Sequence, residues 1–248
     1  MRIYNMASTY SNDLALEKIT TGEKAGLWGT ITNTNLQILE QAASGYTTVD
    51  MAGANVTLVL GDGTLSNGKN LYFKLTGTLS GNRTLTMPAT TGGGSAKRVF
   101  IIEDATVRGT SNRTLSVLTA GSATSVAVPV GSTLLLVSDG TDTTVGIMQK
   151  AYYAINDTFA PYPAVAGDQL ICSTNNNPFT VNLPATPSVG DEVTIVDGLA
   201  TFATNNLTIN PNGSNLNSAA ANLVLSTSGQ SITLVYINTT RGWTYKNT

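Results

Sequence analysis

Two pairs of adjacent carboxylates, Glu103-Asp104 and Asp191-Glu192, are the residues best equipped for chemistry. Glycosidic-bond cleavage uses two carboxyl groups about 5–10 Å apart, one as acid and one as base or nucleophile. Both pairs lie in or beside runs that read as strands, where neighbouring side chains point to opposite faces. Neither pair can then converge on one substrate, and strand-end solvation and turn formation account for them better. The chain has no His. That excludes a Ser-His-Asp triad, a His-ligated zinc site and an imidazole proton shuttle.

Other groups reduce to turns or core. Asp139-Gly140-Thr141-Asp142 resembles a fragment of a calcium loop but lacks the alternating ligands and closing Glu. Asn210-Pro211-Asn212-Gly213-Ser214-Asn215 is likewise a turn. Gly92-Gly93-Gly94-Ser95 lacks the Lys-Ser/Thr of a phosphate loop and reads as a connector. Asn-x-Thr tripeptides start at Asn55, Asn82, Asn112, Asn156, Asn206 and Asn238 and are expected by chance in so Asn- and Thr-rich a chain. The single cysteine, Cys172, cannot form an internal disulfide; in the run Gln169-Leu170-Ile171-Cys172 it reads as a small core residue. No metal or cofactor is expected. Tyr152, Tyr153, Trp243 and Tyr245 are candidates for stacking on sugars, although such residues more often fill β-cores.

The elements that hold these residues read as β. At 248 residues and 25.8 kDa the chain suits one large β-domain or two small ones. Thr, Val and aromatics favour strands, and 24 Gly with many Asn supply turns. Charged residues are 11%, against roughly 25% in an ordinary soluble domain. A polar, nearly uncharged surface suits a protein that works outside a cell, where salt weakens ion pairs. A net charge of −2 leaves no basic excess for nucleic acid. No run reaches the roughly 18 apolar residues of a membrane span. Either Met1 or Met6 could be the start.

The best helix signal covers Asn33–Ala43, with Thr32 or Asn33 as cap, Leu36, Ile38, Leu39 and Ala42 on a roughly helical face and Gly45 as stop. Gly22, Gly26 and Gly29 around Leu27-Trp28 read as an extended or looped arm. Strands are expected at Asn55–Leu60, Leu71–Leu75, Thr84–Met87, Arg98–Glu103, Thr114–Leu118 and Thr133–Val137. Turn-separated spacing of this kind marks a sandwich or barrel.

The pattern then repeats. Arg83-Thr84-Leu85-Thr86-Met87-Pro88-Ala89 matches Phe179-Thr180-Val181-Asn182-Leu183-Pro184-Ala185, and Val99–Asp104, Asn112–Val117 and Gly131–Val137 find partners at Val193–Asp197, Asn205–Ile209 and Gly229–Val235. The expected architecture is therefore all-β. It comprises an attachment arm with one short helix (1–50) and two related β-sandwich or barrel-like modules in tandem (51–150 and 151–248). A repeat of about 95 residues exceeds solenoid units of roughly 20–50. Small modules with exposed strand edges invite self-association.

The segment Leu16–Leu36, with Gly22-Glu23-Lys24-Ala25-Gly26-Leu27-Trp28-Gly29 followed by Thr32-Asn33-Thr34-Asn35, resembles a segment near the start of many tailed-phage virion proteins. Ala166–Leu170 through Leu183–Val193 resembles modules of phage tail fibres, particularly of cyanophages and marine phages. The resemblance implies a non-enzymatic homotrimeric virion appendage, docked to other virion proteins by its N-terminal part. A short tail fibre or fibre adaptor is the expected function. The alternatives are a capsid cement protein and a glycan-degrading tailspike. Leu27, Trp28, Leu36 and Leu39 are the expected anchor, with Trp28 as a cap on its own module's core the competing reading. Host surface glycan is a possible further partner.

Overall fold

The computed structural model describes residues 8–90, 96–109, 113–149 and 151–246. The Gly92-Gly93-Gly94 connector, Asn112 and both candidate starts lie outside those residues. A hairpin of β1 (Thr9–Tyr10) and β2 (Glu17–Lys18) is followed by a helix, α1 (Trp28–Ser44). The rest is β, in two sets of nine strands. The first set is β3 (Tyr46–Asp50), β4 (Val56–Thr57), β5 (Tyr72–Thr76), β6 (Arg83–Met87), β7 (Arg98–Asp104), β8 (Leu115–Thr119), β9 (Ser125–Ala127), β10 (Thr133–Ser138) and β11 (Thr143–Gln149). The second is β12 (Tyr152–Asn156), β13 (Tyr162–Pro163), β14 (Gln169–Ser173), β15 (Phe179–Asn182), β16 (Glu192–Asp197), β17 (Leu207–Asn210), β18 (Leu223–Leu225), β19 (Ser231–Asn238) and β20 (Gly242–Tyr245).

Each set makes a five-stranded and a four-stranded sheet. The orders are β11-β10-β7-β5-β3 with β4-β6-β8-β9, and β20-β19-β16-β14-β12 with β13-β15-β17-β18. Strand for strand the two topologies are the same, so the chain is all-β with two like units in tandem. Alternate residues of each strand point inward, as in the buried positions of β8 and β16. Phe73, Phe100, Leu85, Val117 and Leu134 meet in one core; Leu170, Cys172, Val181, Ile195 and Trp243 meet in the other.

The connections differ from those of a hairpin-built sandwich. β3, β5 and β7 pair in parallel, and so do β4, β6 and β8. The chain crosses from one sheet to the other and back, making three stacked coils before antiparallel β9, β10 and β11 close the unit. Tyr46 pairs with Tyr72 and Tyr72 with Ile101. The short solenoid-like period therefore exists inside each unit, beneath the longer duplication.

The Asn-x-Thr tripeptides mark these coils. Asn55 Oδ1 accepts the Thr84 N–H, and Asn82 Oδ1 accepts the Thr114 N–H, each at 3.0 Å. Leu58, Leu85 and Leu115, each three residues after such an Asn, are buried in the same core. Arginines add further ties between coils. Arg83 donates to the Gly53 carbonyl, Arg98 to the carbonyls of Gly68, Lys69 and Asn70, and Arg113 to that of Leu79.

Two expectations about the N-terminal part need correction. The helix starts at Trp28, not Asn33, with Leu27 as its cap and no side-chain capping bond. Leu27-Trp28 therefore begins a helix and is not part of a looped arm. Also, β3 falls inside the 1–50 segment yet pairs with β5. Gly45 does end the helix, at an ordinary φ of −65°; a Cβ there would lie 2.3 Å from the Gln41 carbonyl oxygen. Close packing demands glycine at this position.

Candidate functional site

The two carboxylate pairs diverge. Glu103 points outward, accepting from Tyr72 Oη at 2.8 Å and pairing with Lys74 at 2.8 Å. Those partners lower its pKa, and burial with the Glu103 hydrogen bond pushes the Tyr72 phenol up to about 12. Asp104 points inward. Asp191 accepts the Ser188 N–H in a turn, while Glu192 pairs with Lys246 at 2.7 Å. Among the described residues no three potential metal ligands cluster. The Asp139 loop is a turn, with Asp139 Oδ1 accepting the N–H groups of Thr141 and Asp142. Asn238 Oδ1 accepts those of Thr240 and Arg241 at the matching place in the second unit. Cys172 is buried, and burial raises its thiol pKa.

The aromatic candidates separate. Trp243 is fully buried in the second core, with its ring centroid 5.6 Å from that of Tyr236. It cannot stack on a sugar. Tyr153 packs edge-on against Phe159, and Tyr245 is half-buried against the same core. Only Tyr152, 57% exposed, presents a free face. Tyr46, the first residue of β3 as Tyr152 is of β12, is equally exposed and stacks on Tyr72 at 5.2 Å. A cleft of about 320 Å³ lies between Ala185–Pro187 and Gly213–Asn215 and holds no charged side chain.

The four anchor residues are all exposed; Trp28, Leu36 and Leu39 lie along one helical stripe, while Leu27, nine residues before Leu36, lies about half a turn away from it. Leu27, Trp28, Leu36 and Leu39 are 54%, 63%, 58% and 44% exposed. Trp28 is therefore not a cap on its own module's core. The side of α1 around Ile38 packs inward. Ile38 is fully buried, Asn35 both donates to and accepts from the Glu17 backbone, and Gln41 donates to the Ser66 carbonyl. Trp28, Thr32, Leu36, Leu39 and Ala43 follow the three- and four-residue spacing of one helical stripe.

A buried charged cluster joins the two units. Arg108 and Asp104 form a 2.6 Å ion pair, and both side chains are almost wholly buried. Asp104 also accepts from Thr106 N, Thr106 Oγ1 and Gly131 N. Facing them from the second unit are Tyr162, whose O–H donates to Asp168 Oδ2 at 3.3 Å, and Asp168, which also accepts the Val165 N–H. Burial outweighs these bonds and pushes the Asp168 carboxyl up to about 6, while burial also raises Tyr162. Nothing in the spacing of Arg108 and Asp168 marks them in the sequence.

No protein-family model and no curated protein matches the chain. Among solved structures, one described as "Structure of a chaperone-substrate complex" aligns over 82% of this chain, at 15% identity and a TM-score of 0.36. The chain spans 35% of that structure's length. A likeness of that size bears on neither fold nor function.

Proposed function

We propose that the chain is a non-enzymatic structural protein of a phage particle, a short trimeric tail fibre or fibre adaptor that docks through its N-terminal segment. The observation that carries this reading is the helix α1, apolar on two sides. One side, around Ile38, fits its own first unit; another, through Trp28, Leu36 and Leu39, faces solvent, and Leu27 is exposed at the helix start. An exposed apolar stripe of this kind marks a binding surface, and an exposed Trp at its end is a typical interface anchor. The divergent carboxylates support a structural role over glycan cleavage. Coils tied together by Asn and Arg side chains suit an appendage that must hold its shape.

The test is the double substitution Leu27→Asp plus Trp28→Asp. The folded content stays unchanged because both side chains are exposed, while incorporation into particles and the trimeric mass, near three times 25.8 kDa, are lost. Wild-type incorporation of that variant would overturn the anchor. A copy number approaching that of the major capsid protein would move the protein from tail to head.

A further inference from the structure

The two units differ in one loop. Between β8 and β9 the chain takes residues 120–124, whereas between β17 and β18 it takes 211–222. The longer loop supplies one wall of the cleft of about 320 Å³, through Gly213, Ser214 and Asn215. Ala185–Pro187, after β15, supply another. Tyr236 of β19 and Thr239 of the turn after it complete the lining.

The walls are held by contacts that leave the lining hydroxyls free. Asn215 Nδ2 donates to the Thr240 carbonyl at 2.9 Å, and the Trp243 N–H donates to the Asn215 carbonyl at 2.9 Å. Gly242, at a φ of +73°, permits that approach; a Cβ there would lie 1.8 Å from the Asn215 carbonyl oxygen. Asn212 Nδ2 donates to the Leu183 carbonyl at 3.0 Å and ties the long loop to the segment leading into Ala185. Walls fixed in advance reduce the ordering cost of binding.

What remains free is polar and uncharged. The hydroxyls of Thr186, Ser214, Thr239 and Tyr236 make no hydrogen bond among the described residues. Tyr236 is only 7% exposed and its ring packs on Trp243, yet its hydroxyl is accessible and has no partner. A tyrosine buried to that extent ordinarily finds one.

The duplication supplies a control within the chain. Ser122 lies seven residues after Leu115, as Ser214 lies seven after Leu207. Asp142 lies eleven after Gly131, as Thr240 lies eleven after Gly229. In the first unit Ser122 Oγ donates to Asp142 Oδ1, and Thr119 Oγ1 donates to the Thr141 carbonyl at 3.3 Å. Side chains there join the loop to the hairpin turn. In the second unit Thr240 stands in place of Asp142 and Pro211 in place of Thr119, and the Ser214 hydroxyl is left open.

We propose that this cleft is a binding site for a neutral saccharide of one or two rings. A sugar presents hydroxyls that both donate and accept, and an apolar C–H face beside them. The four free hydroxyls match the first, and Pro187 with the Tyr236 ring matches the second. A carboxylated or phosphorylated sugar meets no cation among the lining residues. The volume lies at the lower end of the roughly 300–1,000 Å³ of small-ligand sites, which limits the ligand to a small one. The inference rests on the second unit alone and holds whatever particle its N-terminal helix serves.

The test is saturation-transfer NMR on the full chain with free glucose, galactose, mannose and N-acetylglucosamine, and with glucuronate as the charged comparator. Transfer to at least one neutral sugar at millimolar affinity is expected, with none to glucuronate. Tyr236→Phe removes the hydroxyl and keeps the ring, and should weaken binding about fivefold or more. Thr240→Asp, at an exposed position, gives Ser214 the carboxylate partner that Ser122 has, and should abolish binding. Melting curves like that of the wild type show that either loss is not a loss of fold; should Tyr236→Phe fail to fold, Thr240→Asp carries the test. No transfer to any neutral sugar, equal transfer to glucuronate, or wild-type binding by the folded variants would overturn the proposal.

Discussion

Glu103 and Asp104 are neighbours in the chain and face opposite sides of one sheet. Glu103 meets Lys74 at 2.8 Å at the surface, and Asp104 meets Arg108 at 2.6 Å inside. One residue of strand separates an ion pair in solvent from one in the core, and the two should behave differently when broken.

Removing Arg108 leaves Asp104 buried and unpaired, so Arg108→Ala should cost about 3–5 kcal/mol of stability. Glu103→Ala breaks a pair whose members are a quarter to a third exposed. It should cost under about 1 kcal/mol. Denaturant unfolding of the two variants checks both, and comparable losses would contradict the contrast.

Lys69 gives a pH signature of the same sign as a paired carboxylate, since both pKa values are lowered by folding, but in the alkaline range. Its ammonium is buried and donates to the carbonyls of Gly61 and Thr64 at 2.7 and 2.6 Å. Burial lowers its pKa to about 8, with Asp62 opposing. Between pH 8 and about 10 the unfolded chain therefore binds more protons at this lysine than the folded one, and its contribution to stability rises with pH. Melting curves of wild type and Lys69→Met should converge as pH rises through that range. A constant gap would show an ordinary lysine.

Trp243 and Tyr152 were candidates for the same sugar contact and lie in opposite surroundings. Trp243→Ala empties a filled core and should cost about 3–5 kcal/mol. Tyr152→Ala should stay within about 0.5 kcal/mol. If the protein contacts glycan through these aromatics, glycan-array signal should fall for Tyr152→Ala with stability unchanged.

Cys172 offers a probe of the second core. The thiol is buried and its pKa raised, and only the thiolate reacts. Alkylation of the native protein at pH 8 should be slower than that of the urea-unfolded chain by on the order of 100-fold or more. Equal rates would mean that β14 opens freely.

Much of the β pattern was legible in the chain. The strand expected at Arg98–Glu103 is Arg98–Asp104, and that at Thr133–Val137 is Thr133–Ser138, because alternation of apolar and polar side chains is local. The duplication was legible because equal cores need equal spacing. The parallel winding was not. A strand's sequence fixes which face is buried, but not which strand lies beside it, and the Asn-x-Thr tripeptides that mark successive coils resemble chance in an Asn-rich chain.

The sequence by itself determined the all-β class, the repeat, the lack of imidazole chemistry and the apolar residues of α1. Those depend on composition and on periodicities of two and 3.6, which act between near neighbours. Only the tertiary structure decided that Trp243 is core while Trp28 is exposed, and that Arg108 and Asp168 share one buried junction. Burial and charge pairing arise between residues far apart in the chain, and they exist only once the coils have stacked.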